Sequence, residues 1–228
     1  MTLTITRIIN TLYIQNEFKP IVVYGPLGIG KSSYAMKCVA EVYGGTDSLN
    51  WEAVKTHLVF HPRDFVERCT RMVEKGQRDK VLIWDDSGLW VPNMEWNDPF
   101  VKTVTKYLNV ARTNWASIIF TCPLPVSIVK KIRNLPDCIT VKIIKTKNDL
   151  DAPQRCRCAK GYRYWVAPDM RKSGVRQIFE DKFTAILPNP FYYWYQPIRD
   201  HYAAMAVSYM RKELDSLPQL PKEEQMPP

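Results

Sequence analysis

The sequence predicts an α/β fold with a parallel sheet of about five strands, followed by a β-hairpin and a helix. Over residues 1–146, short apolar runs rich in β-branched residues alternate with amphipathic stretches of helical length. A glycine-rich segment joins the first of these runs to the first long helix. After residue 146 basic and apolar residues alternate, which is typical of antiparallel strands.

The N-terminal part of the chain is expected to supply the parallel strands and their connecting helices. The predicted strands are 20–24, 57–60, 80–86, 117–121 and 138–145. The predicted helices are 4–13, 33–43, 62–75, 99–112 and 125–134. Because the strands are apolar and alternate with helices, we expect right-handed βαβ crossovers around a buried sheet.

The remainder of the chain is expected to form three further segments. These are a basic β extension at 147–187, a linker and C-terminal helix at 188–216, and a proline-rich disordered tail at 217–228. Within the extension, 155–166 and 175–183 have the pattern of two strands of a hairpin.

The charge of the chain lies mainly in its C-terminal third. The formal net charge is +9 over 228 residues, and residues 130–182 hold 14 Lys and Arg against 6 Asp and Glu, a net +8. This distribution favours an anionic partner such as nucleic acid.

The cysteines do not indicate a metal site or a disulfide framework. Cys38, Cys69, Cys122 and Cys138 lie in apolar or helical contexts and are expected to be buried thiols. The spacing Cys156-x-Cys158 fits two residues of one strand better than a zinc ribbon, so no structural metal is expected. With neither a signal peptide nor an apolar run long enough to span a membrane, the sequence predicts a soluble protein of the cytoplasm.

Residues 25–32 carry the phosphate-binding P-loop pattern G-x-x-x-x-G-K-S between a strand and a helix. Its backbone N–H groups can surround a phosphate chain, and the helix N-terminus adds partial positive charge. Lys31 is expected to reach the β- and γ-phosphates of ATP, and the Ser32 hydroxyl to ligate Mg²⁺. The predicted nucleotide-binding residues are Gly25, Pro26, Gly28, Ile29, Gly30, Lys31, Ser32 and Ser33.

An acidic pair ends the strand 80–86, about 50 residues after the P-loop. In P-loop ATPases a strand ending in Asp holds Mg²⁺, usually through water, and that residue here is Asp85. Asp86 is placed to orient and deprotonate the attacking water. The alternative is that the pair only caps the following turn.

Three more residues are candidates for catalysis. Thr121 ends a strand and can contact the γ-phosphate or the lytic water. Arg133 and Arg112 each end a helical stretch, and either could act as an arginine finger toward the nucleotide of a neighbouring subunit. Strand termination and solvated helix ends are the alternatives for these residues.

The β extension supplies the candidate nucleic-acid contacts. Its basic residues can bind phosphates while the interleaved aromatic residues stack on bases. The predicted contacts are Arg155, Arg157, Lys160 and Arg163, interleaved with Tyr162, Tyr164 and Trp165.

Over residues 20–145 the chain resembles the additional-strand P-loop ATPases, the group that contains AAA+ and RecA-like motors. The strand end Ile83-Trp84-Asp85-Asp86-Ser87 is similar to that of replication initiators and helicase loaders. The stretch from Ala111 to Thr121, followed by Ile132-Arg133-Asn134-Leu135, resembles the zonular-occludens-type ATPases of filamentous phages. Small ATPases of viruses and plasmids combine similar features.

The resemblance implies an ATP-hydrolysing, Mg²⁺-dependent motor or switch that assembles into a ring or filament. The basic extension adds DNA as the expected partner, in replication or genome handling of a mobile element. A genome packaging or export ATPase is the first alternative, and a small-molecule kinase is the second. The chain departs from both subgroups, because basic strands replace the helical lid of AAA+ proteins and no span matches the transmembrane helix of the phage proteins.

Overall fold

The computed structural model describes residues 2–45, 47–92, 94, 97–128, 130–135, 137–146, 156–166 and 173–216. The chain divides into two compact units, Met1–Ile186 and Leu187–Pro228. All the strands described below belong to the first unit.

The helices and strands follow one another largely as the sequence predicts. The helices are α1 (Thr4–Ile14), α2 (Lys31–Gly44), α3 (Trp51–Thr56), α4 (Pro62–Glu74), α5 (Pro99–Leu108), α6 (Lys130–Arg133) and α7 (Asn189–Ser216). The strands are β1 (Lys19–Tyr24), β2 (Leu58–Val59), β3 (Asp79–Trp84), β4 (Trp115–Cys122), β5 (Ile139–Lys145), β6 (Cys156–Val166) and β7 (Ser173–Thr184).

The seven strands form one mixed sheet in the order β2-β3-β4-β1-β5-β6-β7. The first five in that order are parallel, and β4 lies between the P-loop strand β1 and the acidic strand β3. This inserted strand is the feature that defines the additional-strand P-loop fold, so the predicted fold class is confirmed.

The β-hairpin continues the core sheet. Strand β6 pairs antiparallel with β5 from Lys145↔Arg157 to Ile139↔Arg163, and β7 pairs antiparallel with β6. The register shifts beside Gly161, where β7 has one extra residue, Ile178. The hairpin is therefore part of the same hydrogen-bonded sheet as β1, the strand that leads into the P-loop.

Helices cover both faces of the central strands. On one face Trp84 stacks on Phe65 of α4 with ring centroids 4.3 Å apart, inside an apolar cluster that also includes Val104 of α5. Helices α1 and α2 contact β3 and β4 and share no member with that cluster, so they cover the other face. The central strands are thus buried on both sides, which explains their continuous apolar sequences.

The hairpin also binds the two helices on that second face. Asp181 of β7 accepts hydrogen bonds from the Thr4 backbone N–H at 2.9 Å and from the Tyr34 hydroxyl at 2.9 Å. Thr4 begins α1 and Tyr34 lies in the P-loop helix α2, so one carboxylate ties β7 to both helices.

Several elements differ from the sequence expectation. Helix α5 ends at Leu108 and a 3₁₀ turn at Ala111–Thr113 follows it, because the chain must turn back before β4. Helix α6 has only four residues, and α3 has no predicted counterpart. Helix α3 is a single short turn capped by Asn50, too short to show a helical period.

The second unit contains one long helix. Helix α7 begins at Asn189, so the helix starts almost at the beginning of the segment 188–216 and leaves little room for the predicted linker. It includes the aromatic residues Phe191 and Trp194, whose rings lie 5.3 Å apart. The predicted tail at 217–228 lies outside the described residues. Among the described helices, none combines the length and the apolarity needed to cross a bilayer.

Candidate nucleotide site

The P-loop occupies the turn from the carboxyl end of β1 into α2. Gly25 has φ +153°, and a Cβ on it would lie 2.8 Å from the carbonyl oxygen of Ile143 in β5, so a larger residue would displace the neighbouring strand. The loop is fixed to β4 as well, because the Gly25 N–H donates to the Pro123 carbonyl at 3.1 Å.

The Lys31 side chain is buried against the P-loop. Lys31 is the first residue of α2, is only 6 % exposed, and donates from Nζ to the Pro26 carbonyl at 3.0 Å. The ammonium group therefore lies over the loop that precedes it. In that position its charge can act on a phosphate chain held by the loop.

Ser32, Asp85 and Thr121 converge on one carboxylate oxygen. Asp85 Oδ1 accepts hydrogen bonds from Ser32 Oγ at 2.8 Å and from Thr121 Oγ1 at 2.5 Å. Asp85 and Thr121 are fully buried. The three residues come from α2, from the residue after β3, and from β4, so the parallel register brings together groups that are far apart in sequence.

The Ser32 hydroxyl and the Asp85 carboxylate fit a magnesium ion. Mg²⁺ prefers oxygen ligands and is usually held in NTP sites by one or two protein oxygens, water and the substrate phosphates. The two side-chain oxygens lie 2.8 Å apart, so both can face one ion or one of its water ligands. When bound, the ion would neutralise charge on the phosphate oxygens.

Asp86 is held by its backbone beside this pair. It has φ +48°, in the left-handed region that Asp tolerates better than most residues, and its N–H donates to Thr121 Oγ1 at 2.8 Å. Ser87 adds a further link to β4, because its Oγ donates to the Thr121 carbonyl at 3.0 Å. Sequence reasoning missed Ser87, which differs from an ordinary turn serine only in this contact.

The buried Cys122 thiol at the end of β4 lies near three charged groups. Burial raises the pKa of this thiol to about 12; the positive charges of Lys31 and Arg133 oppose the shift and the negative charge of Asp86 adds to it. Lys31, Arg133 and Asp86 are therefore grouped around the end of β4. Arg133 is half-buried, and its Nε donates to the Ile128 carbonyl at 3.1 Å.

Arg112 lies at the other edge of the sheet. It is in the 3₁₀ turn that precedes β4, whereas the P-loop follows the opposite end of the parallel neighbour β1. Together with Phe18 and Leu108 it lines an apolar cavity of about 500 Å³. The structure therefore separates the two candidate arginines, and only Arg133 is near the nucleotide loop of its own chain.

The four predicted nucleic-acid residues do not form one surface. Arg155 lies outside the described residues. Arg157 is buried at 5 % exposure, and its Nε donates to the P-loop carbonyl of Ile29 at 2.9 Å. Lys160 faces the opposite side of β6 from Arg163, because strand residues alternate between faces. Lys160 pairs with Glu180 at 3.3 Å, and Arg163 pairs with Asp137.

The cysteine predictions are confirmed for the described residues. Cys38, Cys69, Cys122 and Cys138 are buried free thiols. Cys156 and Cys158 are next-but-one neighbours on β6, as their spacing predicts.

We expect the Thr121 hydroxyl to be important for holding the Asp85 carboxylate and the Asp86 backbone in place. Thr121→Val removes the donor to Asp85 and the acceptor for the Asp86 N–H, and ATP turnover should fall about 10- to 100-fold, as for other residues that orient metal ligands. Thr121→Ser, which keeps the hydroxyl, should retain most of the activity. Steady-state kinetics over a range of Mg²⁺ concentrations measures the effect; equal turnover in Thr121→Val and wild type would contradict it.

No protein-family model matches the chain. The chain is 28 % identical over 131 residues to an uncharacterised protein, B-251, of Sulfolobus spindle-shape virus 1. That match covers 56 % of this chain and 52 % of the viral protein, so the chain spans about half the length of the relative.

Two solved structures are similar in fold at low sequence identity. The N-terminal domain of zonular occludens toxin from Neisseria meningitidis is 13 % identical with a TM-score of 0.44, covering 72 % of this chain and 95 % of that domain. A KaiC-like protein from Pyrococcus horikoshii OT3 is 12 % identical with a TM-score of 0.39, covering 72 % and 90 %. The zonular-occludens likeness is one that the sequence motifs predict.

Proposed function

We propose that this protein is a Mg²⁺-dependent ATPase that acts as a motor or switch on DNA in the genome handling of a virus or plasmid. The observation that carries the ATPase part is the convergence of Ser32 and Thr121 on the buried Asp85 carboxylate beside Lys31. If Asp85 only capped the following turn, it would not need hydrogen bonds from two hydroxyl groups that belong to α2 and β4.

The reaction follows from these positions. Asp86 takes the proton of a water whose oxygen forms a bond to the γ-phosphorus, while the bond from that phosphorus to the β–γ bridging oxygen breaks. Lys31 and the backbone N–H groups of the loop stabilise the charge on the departing diphosphate. Thr121 keeps Asp85 and the Asp86 backbone in register with each other.

Self-association is the second part of the proposal. Arg112 lies at the edge of the sheet away from the P-loop of its own chain, where it could contact the nucleotide of a neighbouring subunit in a ring or filament. Arg133 is grouped with Lys31 and Asp86 around Cys122, which favours action within its own subunit. Light scattering with and without ATP, on wild type and Arg112→Ala, tests this assignment; assembly and turnover unchanged in the variant would contradict it.

The DNA partner is supported by a groove at the far end of the hairpin. This groove has a volume of about 1040 Å³. Its lining includes Arg163, Tyr164, Trp165, Val175, Arg176 and Ile178. Trp165 is 45 % exposed and the Arg163 and Arg176 positions are paired across the two strands. Cations beside exposed aromatic rings are the combination that binds nucleic-acid phosphates and bases.

The position of the groove predicts that the basic residues of the hairpin contribute unequally to DNA binding. Replacing Arg163 and Arg176 together with Ala should weaken DNA binding and flatten the log–log salt dependence by about 0.7–0.9 per lost phosphate contact. Lys160→Ala should have a smaller effect, because Lys160 lies on the opposite face of β6 from Arg163 and does not line the groove. Trp165→Ala should weaken binding to single strands about tenfold, the lower part of the range for one stacked base.

Fluorescence anisotropy with single- and double-stranded DNA over a salt series measures these effects. Lys102→Ala, an exposed cation on α5, is the matched control and should leave the salt slope unchanged. A double variant with the wild-type slope would show that DNA contacts another surface. ATPase assays with and without the same DNA then establish whether binding and turnover are linked.

A further inference from the structure

Arg157 connects the hairpin to the nucleotide loop. It lies on β6, two strands away from β1 in the sheet order, yet its side chain reaches the loop that follows β1. Nε donates to the Ile29 carbonyl at 2.9 Å and Nη1 donates to the Cys156 carbonyl at 2.9 Å. Burying a guanidinium group costs free energy unless it is hydrogen-bonded, so these two hydrogen bonds are what makes the buried position of Arg157 possible.

The bond to Ile29 also fixes the next amide. The Ile29 carbonyl and the Gly30 N–H belong to one peptide plane, and no described peptide bond is cis. In a trans peptide these two groups point in opposite directions. By holding the carbonyl with a charge-assisted hydrogen bond, Arg157 sets the direction of the Gly30 N–H, one of the loop amides that can face a phosphate.

The end of β7 supports the same residue of the loop. Gly30 has φ +105°, and a Cβ on it would lie 2.6 Å from the Cβ of Ala185. The Ala185 methyl group therefore packs directly against the Gly30 backbone. One residue earlier, the Thr184 carbonyl accepts a hydrogen bond from Lys37 of α2. Both strands of the hairpin thus reach the loop or the helix that follows it.

We propose that Arg157 is a positioning residue that couples the β6–β7 hairpin to the P-loop, setting the orientation of the Ile29–Gly30 peptide for nucleotide binding. This inference rests on the proposed ATPase function. It also gives the hairpin a role besides contact with DNA: a ligand that moves β6 changes the geometry of the P-loop through Arg157. DNA bound in the hairpin groove would then change the affinity for ATP, and ATP would change the affinity for DNA by the same factor.

The test compares Arg157→Met with Arg157→Lys. Methionine keeps an apolar stem of similar shape and removes every donor, whereas lysine keeps a cation that can still reach a carbonyl. Loss of a hydrogen bond from a charged donor should weaken binding of a fluorescent, non-hydrolysable ATP analogue about tenfold, and Arg157→Lys should recover part of that loss. The effect should fall mainly on KM, because Arg157 supports the loop and does not touch the reacting atoms.

Lys182→Met is the matched control, since Lys182 is an exposed cation on the same hairpin. It should bind the analogue as wild type does. Thermal unfolding of each variant separates loss of fold from loss of nucleotide affinity; if Arg157→Met does not fold, Arg157→Lys alone decides the comparison. Wild-type affinity and KM in the folded Arg157 variant would overturn the inference.

The outcomes also separate this inference from the proposed function. A wild-type protein that neither binds the analogue nor hydrolyses ATP refutes the ATPase function. Normal wild-type turnover together with an Arg157 variant of unchanged affinity refutes only the coupling. An Arg157→Met variant with weaker ATP binding and no DNA stimulation, compared with a stimulated wild type, supports both.

Discussion

Replacement of Lys31 with alanine is expected to lower ATP turnover by roughly 10²–10³-fold, the usual effect of removing one group that stabilises transition-state charge. The ammonium group lies over the P-loop, where it donates to the Pro26 carbonyl, and no other lysine or arginine of residues 25–33 can take its place. Release of inorganic phosphate, measured without any acceptor substrate, provides the readout.

The variant should still fold, although the Lys31 side chain is only 6 % exposed in the wild type. The Pro26 carbonyl that accepts from Lys31 Nζ belongs to an exposed residue, so water can reach it after the substitution. Thermal unfolding and circular dichroism check this point, with Lys102→Ala as a control of the same residue type. Turnover equal to that of wild type would remove the P-loop assignment. Phosphate release only with an added small-molecule acceptor would favour the kinase alternative.

Asp86→Asn should slow hydrolysis by roughly 100-fold or more while Mg-ATP still binds. The amide cannot accept the proton of the attacking water, and general-base catalysis typically contributes 10²–10⁴-fold. The backbone N–H that holds this residue to Thr121 remains in the variant, so the geometry of the strand end should be kept. Single-turnover kinetics and binding of the non-hydrolysable analogue, measured on the same protein, separate the chemical step from binding.

Asp85→Asn is the matched comparison for Asp86→Asn. Asp85 accepts from both Ser32 and Thr121 at Oδ1, and an amide oxygen can keep these two hydrogen bonds, but the neutral side chain lacks the negative charge that attracts Mg²⁺. The Mg²⁺ concentration for half-maximal activity should therefore rise in Asp85→Asn and stay near the wild-type value in Asp86→Asn. The opposite pattern would exchange the roles of the two carboxylates.

Local signals in the sequence were sufficient for the nucleotide loop and for the core strands. The glycine pattern of 25–32 requires a particular backbone path, and buried parallel strands require continuous apolar runs such as 81–84. Asp85, Asp86 and Thr121 could be selected because each follows or ends such a run, and parallel strands place those ends at one edge of the sheet. The hydrogen bonds that join Asp85, the Asp86 backbone and Thr121 could not be predicted from the spacing of these residues in the sequence.

The positions of the arginines could not be predicted from local pattern. Arg157 and Arg163 are the same residue type on the same strand, yet one is buried beside the P-loop and the other is exposed in the groove. The difference arises because β6 joins the sheet next to β5, which brings residue 157 close to Ile29, 128 positions earlier in the chain.

The sequence by itself determined the fold class, the phosphate loop and the acidic strand end, because glycine conformation, strand burial and strand-end position are expressed over a few adjacent residues. The tertiary structure alone decided that the hairpin extends the core sheet, that Asp181 ties it to α1 and α2, and that Arg157 reaches the P-loop. The contacts of Asp181 and Arg157 join residues more than 100 positions apart, and their free energy depends on burial and strand pairing that no short segment of the chain contains.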